Sequence, residues 1–192
     1  SRENISEKTG LYHPAYHKTV LNSPKVKKSL MSLPLSYMGY SGYLNPFTLE
    51  SQVNAKMPIQ SLITTSLHEM SHQLGYASEK EANFIAYLSA IKSNNPYIKY
   101  AGYTFAFRYF FSELHKLDSD KAMEKLKMLN PGILKNFKEV NDFWKQYDNP
   151  FEIVFDKTYD GYLKANGQKS GIKSYNEMVG LVINYHKNEK QF

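Results

Sequence analysis

Apolar residues recur at three- and four-residue steps along the middle of the chain, from Pro58 onward. The pattern is formed by Ile59, Leu62, Ile63, Leu67, Met70 and Leu74. This spacing places all of these side chains on one face of a helix and leaves the other face polar. Pro58 suits the first turn of such a helix, and Gly75 suits its C-terminal cap. We therefore predict an amphipathic helix that begins near Pro58 and ends before Gly75.

The chain beyond Gly75 also has a helical pattern. Ser78 and Glu81 have the three-residue spacing of a capping box, at the start of a helix that ends near Ser93. Turn-forming residues such as Asn130-Pro131-Gly132 separate the segments that follow. The further helices are predicted at 97–116, 119–129, 132–147, 151–165 and 172–187.

Residues 36–57 carry the one clear β pattern of the chain. They are rich in Tyr, Gly, Ser and Thr, and Gly42 and Asn45-Pro46 are turn signals. Short strands are predicted at Tyr43-Leu44 and from Thr48 to Asn54. A small β region is thus expected directly before the amphipathic helix.

These elements predict one domain of α+β class, predominantly helical, over residues 1–192. A length of 192 residues and a mass of 22.2 kDa suit a single domain with its own core. Residues 1–35 are polar, contain three prolines and are predicted to wrap the domain as loop with one short helix. The small β region at 36–57 precedes a helix pair at 58–93 and a helical subdomain at 94–192.

Composition limits the chemistry of the chain. Hydrophobic residues make up 42% and charged residues 22%, which is typical of a globular protein. Cysteine is absent, which excludes disulfides, cysteine nucleophiles and thiolate metal sites. Any metal ion must therefore be held by nitrogen and oxygen ligands.

The positive charge does not indicate a nucleic-acid partner. The net charge is +6, but only Arg2 and Arg108 are arginines, and the lysines are scattered along the chain. Base recognition and bidentate phosphate contacts favour arginine. No segment has the roughly 18 apolar residues of a membrane span. The nearest candidate, Tyr103 to Phe111, is too short and contains Arg108.

The sharpest motif is His68-Glu69-Met70-Ser71-His72, on the predicted amphipathic helix. Two histidines four residues apart lie on one helical face, so both imidazoles can reach one metal ion. Glu69 lies about 100° round the helix from His68, where it can contact a metal-activated water without binding the metal. This is the arrangement of zinc peptidases, in which the glutamate acts as general base.

A third metal ligand is expected soon after Gly75, because catalytic zinc takes three protein ligands. Glu79 and Glu81 are the candidates. They are two residues apart on a helix and point in nearly opposite directions, so only one of them can bind. The closer position to the turn favours Glu79, and Glu81 is the alternative. Asn83, on the face of Glu79, is a candidate to orient a ligand.

The stretch HEMSHQLGYASEKEANFIAYL resembles the HExxH and ExxA(N/D) motifs of gluzincin-type metallopeptidases. The resemblance implies that Glu79 is the third zinc ligand, and Ala82 and Asn83 complete the second motif. Two differences stand out. The spacing from His72 to Glu79 is shorter than in many gluzincins, and Ser78 occupies the place of the third histidine of metzincins.

A longer stretch, SYMGYSGYLNPFTLESQVNAKMPIQSLITTSLHEMSHQLGYASEKEANFIAYLSA, resembles a bacterial family of uncharacterised, zincin-like metallopeptidases, as does YDGYLKANGQKSGIKSYNEMVGLV near the C-terminus. Members of that family usually carry membrane-spanning helices before an extracytoplasmic domain. The resemblance implies that the full-length protein is membrane-anchored and that this chain is its soluble part.

The resemblance also implies two further roles. In zincins, an edge strand before the active-site helix binds an extended substrate. The strand predicted over Thr48 to Asn54 is the candidate, with Thr48, Gln52, Val53 and Asn54 as its contact residues. A side chain such as tyrosine usually stabilises the oxyanion of the reaction. The candidates for that role are Tyr159, Tyr162 and Tyr175.

We therefore predict a zinc-dependent metallopeptidase in which His68, His72 and Glu79 bind Zn²⁺ and Glu69 is the general base. The partner is a peptide or protein substrate, and no nucleic acid is expected. A membrane is expected to be reached only through a segment outside this chain. The alternative is a latent or inactive peptidase-like module that binds a ligand of the cell envelope. No oligomeric state is predicted.

Overall fold

The computed structural model describes residues 24–150, 157, 161 and 177–189. These described residues contain three short strands and seven helices in mixed order. The strands are β1 (Val26–Lys28), β2 (Gly42–Leu44) and β3 (Ser51–Val53). The helices are α1 (Ser32–Tyr37), α2 (Ile59–Gln73), α3 (Glu79–Ile91), α4 (Pro96–Leu117), α5 (Ser119–Lys127), α6 (Pro131–Lys145) and α7 (Met178–Glu189). The predicted α+β class with a predominance of helix is confirmed.

The three strands form one small mixed sheet in the order β1-β3-β2. β3 pairs in parallel with β1, where Val26 faces Ser51, and antiparallel with β2, where Gly42 faces Val53. β1 and α1 both lie near the N-terminal end of the described chain. The prediction that residues up to 35 form a wrapping loop therefore missed β1, whose three residues include two lysines.

The central position of β3 requires a correction to the predicted substrate strand. Both edges of Ser51–Val53 are already paired, so Gln52 and Val53 have no free edge for an extended peptide. Thr48 lies outside the strand, in the turn before it. Asn54 is fully buried and donates to the Ser36 hydroxyl over 2.8 Å, which is a structural contact. Among the described strands, the outer edges belong to β1 and β2.

Helix α3 forms the centre of the molecule. Apolar side chains are buried on nearly every side of it, which is typical of a helix enclosed by other elements. The buried apolar residues of α3 are Ala82, Phe84, Ile85, Ala86, Tyr87, Leu88 and Ala90. Helices α2 and α4 flank it, and Met178, Val182 and Tyr185 of α7 pack on the same core. Each large apolar side chain buried here contributes about 1.5–3 kcal/mol.

Helix ends lie close to their predicted positions because the predicted turn residues cap them. Asn95 accepts from the Tyr97 N–H at the start of α4, and Asn130 accepts from the Gly132 N–H at the start of α6. The capping box predicted at Ser78 does not form, since the Ser78 side chain makes no capping hydrogen bond. The helix predicted at 151–165 falls almost entirely outside the described residues.

No helix in the described part of the chain is both long enough and apolar enough to cross a membrane. The aromatic run from Tyr103 to Phe111 belongs to α4, which packs along α3. Gly102 makes this close packing possible, since a Cβ atom there would lie 2.5 Å from the Cβ of Ala90. Arg108 points to solvent within the run.

Candidate metal centre

Helix α2 presents His68 and His72 one turn apart on its buried side. Their Nε2 atoms are 3.0 Å apart, and their rings meet edge to face with centroids separated by 4.6 Å. Only 11% and 13% of the two side chains is exposed. The four-residue spacing seen in the sequence therefore brings both imidazole nitrogens to one buried point.

The turn after α2 returns the chain to these histidines. Gly75 has a φ of 97°, the left-handed conformation that favours glycine. The Gly75 N–H donates to the His72 carbonyl and the Tyr76 N–H donates to the Ser71 carbonyl, which is a Schellman motif. The motif ends α2 and reverses the chain into α3, as the position of Gly75 predicted.

Glu79, in the first turn of α3, lies against both histidines. Its Oε2 is 3.2 Å from His68 Nε2 and its Oε1 is 3.6 Å from His72 Nε2. One ligand atom from each of the three residues lies within 4.8 Å of the others. Glu81 does not belong to this group, and burial raises its pKa while Lys80 opposes the rise. The structure thus places Glu79, and not Glu81, next to the two histidines.

The hydrogen bonds behind the two imidazoles fix which nitrogens face inward. His72 Nδ1 lies 2.7 Å from the Tyr76 carbonyl oxygen, which can only accept, so Nδ1 carries the proton. His68 Nδ1 lies 2.8 Å from Asn83 Oδ1 and donates to it in the same way. When both imidazoles are neutral, the two Nε2 lone pairs therefore point at each other and at the carboxylate of Glu79. This convergence of lone pairs and negative charge is unfavourable unless a proton or a metal cation lies between these groups.

The electrostatics of the group agree with that geometry. Burial acts to raise the pKa of Glu79, but the hydrogen bonds and charges of His68 and His72 outweigh it and hold this pKa well below its usual range. Burial acts to lower the pKa of His72, but Glu79 and Glu69 outweigh it and raise this pKa above 6.5. Glu79 is therefore a carboxylate, and His72 readily takes up a positive charge from a proton or a metal.

These residues fit a divalent transition metal. Two imidazole nitrogens and one carboxylate oxygen, with no thiolate, form the donor set of a catalytic zinc site. Both imidazole rings are oriented by acceptors that bind their Nδ1–H groups, which is the usual arrangement behind metal-bound histidines.

Glu69 is buried beside this group, with 5% of the residue exposed. Burial raises its pKa, and Glu79 adds to the rise, while His68 and His72 oppose it. Its backbone carbonyl accepts a hydrogen bond from the Ser51 hydroxyl of β3 over 2.8 Å. The sheet thus holds the middle of α2 at the residue predicted to act as base.

Asn83 interacts with His68 and with Tyr109. Its Oδ1 accepts from His68, as predicted for an orienting residue, and its amide nitrogen is buried without a hydrogen bond of ordinary geometry. Burial raises the pKa of the nearby Tyr109 hydroxyl to about 12, while Arg108 and Asn83 oppose the rise. Tyr109 therefore lies beside the metal centre as a neutral phenol, and the charge of Glu79 also reaches it.

Three predicted site residues are outside the described part of the chain, and two residues near the site were not predicted. Tyr159, Tyr162 and Tyr175, the predicted oxyanion residues, lie outside the described residues. Tyr109 was treated as part of a buried aromatic helix, and its spacing to Phe105 gives no other signal. Ser51 was not recognised either, since its contact with Glu69 joins residues 18 positions apart.

Comparison with known proteins identifies one family. The model of the family described as "Protein of unknown function (DUF3810)" matches residues 2–183, nearly the whole chain. The comparisons with curated proteins and with solved structures gave no match.

Proposed function

The chain belongs to the DUF3810 family, whose function is unknown, and we propose that it is a zinc-dependent metallopeptidase with a zincin-like fold. One observation carries the proposal. The two Nε2 atoms of His68 and His72 and the Glu79 carboxylate converge within 4.8 Å, next to a buried glutamate that is not one of the three. A structural zinc site usually has four protein ligands, whereas this group offers three and has a separate carboxylate beside it.

In this proposal His68, His72 and Glu79 hold Zn²⁺. Asn83 and the Tyr76 carbonyl keep the histidine Nδ1 atoms protonated, so that Nε2 is free to bind. When bound, zinc supplies Lewis-acid chemistry: it makes water acidic enough to lose a proton near neutral pH and polarises a carbonyl. Three protein ligands leave a coordination position open for this purpose.

Glu69 is the proposed general base. Its carboxylate accepts the proton of the attacking water and later passes it to the amine that leaves. A buried carboxyl with a raised pKa suits this exchange, because a base works best when its pKa approaches the working pH. The Ser51 hydrogen bond to the Glu69 backbone restricts the movement of this residue.

The proposed substrate is a polypeptide in extended conformation. An extended chain can add to an outer sheet edge through backbone hydrogen bonds. β2 has an outer edge in the described sheet, and its residue Gly42 lies against Glu69. We therefore assign substrate pairing to Gly42–Leu44 in place of the segment from Thr48 to Asn54.

The proposed function has three further parts, which concern the oxyanion, the membrane and nucleic acid. A tyrosine among Tyr159, Tyr162 and Tyr175 stabilises the oxyanion. The full-length protein is anchored in a bacterial membrane with this domain on the extracytoplasmic side. Both follow from the resemblance to zincin-like peptidases noted in the sequence. The third is that no nucleic acid is bound, because arginine is scarce.

The test combines metal analysis with peptide cleavage. The purified chain is loaded with zinc, its metal content is measured, and a mixed peptide library is incubated with it in the presence and absence of a chelator. We expect one zinc per chain and cleavage that the chelator abolishes. Absence of zinc binding would overturn the proposal. One bound zinc without cleavage would favour the alternative, a peptidase-like module that binds a ligand of the cell envelope.

A further inference from the structure

Gly42, on the outer strand β2, lies directly against the carboxylate of Glu69. A Cβ atom at position 42 would lie 2.8 Å from Glu69 Oε1 and 2.9 Å from Glu69 Cγ. It would also lie 2.8 Å from the Gln52 carbonyl oxygen of β3. Ordinary van der Waals contact of a Cβ atom begins at 3.4 Å, so a side chain at position 42 requires a shift of Glu69 and of the strand backbone.

The need for glycine at this position is a matter of space. The described glycines with positive φ are Gly39 and Gly75, and Gly42 is not one of them. Its backbone is that of a strand, which any residue can adopt. Glycine weakens a strand and often marks a place where another group approaches closely. Here the approaching group is the carboxylate of the proposed base.

Glu69 is thus held on two sides by the sheet. Ser51 of β3 binds its backbone carbonyl, and Gly42 of β2 receives its side chain. The three atoms nearest to an added Cβ belong to Gln52 and Glu69, and none belongs to His68, His72 or Glu79. The contact therefore concerns the base and not the metal ligands.

We propose that Gly42 is a positioning residue, whose missing side chain sets where the Glu69 carboxylate lies at the edge of the sheet. The inference rests on the proposed function only for the consequence that Glu69 acts as base. The packing itself is independent of any metal ion or substrate.

An alanine at position 42 cannot be accommodated by rotation of Glu69 alone. The Gln52 oxygen belongs to the backbone of β3, so β2 must move away from β3, or Glu69 must leave its place, or both. A misplacement of about 1 Å in a reacting group costs roughly 100-fold in rate. The three atoms nearest to an added Cβ include none of the proposed metal ligands, so these ligands are expected to keep their positions.

The activity arm of the test uses three glycine variants of the zinc-loaded chain. Gly42→Ala is expected to lower kcat about 100-fold and also to raise KM, since β2 is the proposed substrate strand, and to retain one zinc per chain. Gly102→Ala is the control for overpacking far from the site, since its Cβ would lie 2.5 Å from that of Ala90. Gly180→Ala is the control for substitution in open space. Both controls are expected to keep kcat, and a Gly42→Ala variant with unchanged kcat would contradict the proposal.

The second arm measures packing without activity, on metal-free protein. Gly42→Ala is expected to lower the melting temperature by about 5 °C in the wild-type background. In a Glu69→Ala background the loss should be clearly smaller, because two of the three close contacts are gone. If Gly42→Ala does not fold, folding of the double variant still supports the proposal. Equal losses in both backgrounds, or failure of both variants to fold, would overturn it.

The two arms separate this inference from the proposed function. If the zinc-loaded wild type cleaves no peptide, the proposed function fails, and the coupling between positions 42 and 69 alone decides the inference. If the wild type cleaves peptides and the coupling is absent, the inference fails and the proposed function stands.

Discussion

At the scale of single residues, the proposed metal centre depends on the tautomers of two histidines. Both Nδ1 atoms donate to oxygen acceptors, at 2.8 Å for His68 and 2.7 Å for His72, and this leaves both Nε2 atoms directed at Glu79. The HExxH spacing made the two histidines predictable. The acceptors were only partly predictable, because Asn83 follows from helical spacing whereas the Tyr76 carbonyl depends on the shape of a turn.

Substitution of Glu79 tests which glutamate completes the site. Glu79→Gln keeps the shape of the side chain but removes the charge that lies 3.2 Å from His68 Nε2. We expect zinc affinity to fall by more than the 10–100-fold that the loss of an orienting residue costs. Glu81→Gln is the matched control and should bind zinc as the wild type does. A larger loss in Glu81→Gln than in Glu79→Gln would reverse the assignment. Competition with a zinc-binding dye measures both.

The raised pKa of His72 predicts that zinc binding releases a proton. Burial lowers this pKa, but Glu79 and Glu69 outweigh burial and raise it above 6.5, so the metal-free site holds a proton at and below that pH. Zinc must displace it, and the apparent affinity should fall by up to about tenfold for each pH unit below the raised pKa. Calorimetry in buffers with different ionisation enthalpies measures the proton released. No proton release at pH 6 would contradict the prediction.

The raised pKa of His72 also affects the stability of the metal-free fold. A fall in pH weakens zinc binding but stabilises the metal-free fold. A group whose pKa is raised on folding stabilises the fold fully below its unfolded pKa, about 6.5. That contribution is lost as the pH rises through the folded pKa of His72. Zinc-bound and metal-free protein should therefore respond in opposite ways to a change from pH 8 to pH 6.

At the scale of elements, the sheet and helix α2 act as one unit. β3 lies beneath α2, and the Ser51 hydroxyl bonds the Glu69 carbonyl, while Gly42 of β2 contacts the Glu69 side chain. The helix and the two strands β2 and β3 were expected from hydrophobic periodicity and turn residues. The contacts between these elements were not expected, because they join residues far apart in sequence. The strand Val26–Lys28 was also missed, since three residues are too few to show a periodic pattern.

Two serine variants compare a bond between elements with a bond inside one helix. Ser51→Ala removes the hydroxyl that joins β3 to α2, and we expect a loss of about 1 kcal/mol, or roughly 2–4 °C in melting temperature. Ser66→Ala removes a hydroxyl that bonds the Leu62 carbonyl of the same helix over 2.7 Å. That control should change stability by less than about 0.5 kcal/mol. Equal losses would mean that the Ser51 bond does not help to hold α2 on the sheet.

At the scale of the whole molecule, the described helices enclose the polar group of His68, His72, Glu79 and Glu69. Buried apolar side chains of α3 face α4 and α7, while its first two turns supply Glu79 and Asn83. This division was predictable in outline, since the helices, the turn at Gly75 and the absence of cysteine all follow from the sequence. The sequence did not predict which sheet edge lies nearest to Glu69. That edge depends on the pairing of β1 with the far side of β3, which no local pattern indicates.

The proposed transfer of a proton by Glu69 during zinc-dependent peptide hydrolysis is tested by one variant. Glu69→Gln keeps the size of the side chain and leaves the three metal ligands in place. We predict that this variant binds one zinc per chain and cleaves a fluorogenic peptide mixture about 100- to 10,000-fold more slowly than the wild type, while Glu81→Gln cleaves normally. Cleavage by Glu69→Gln at the wild-type rate, or no cleavage by the zinc-loaded wild type, would contradict the account.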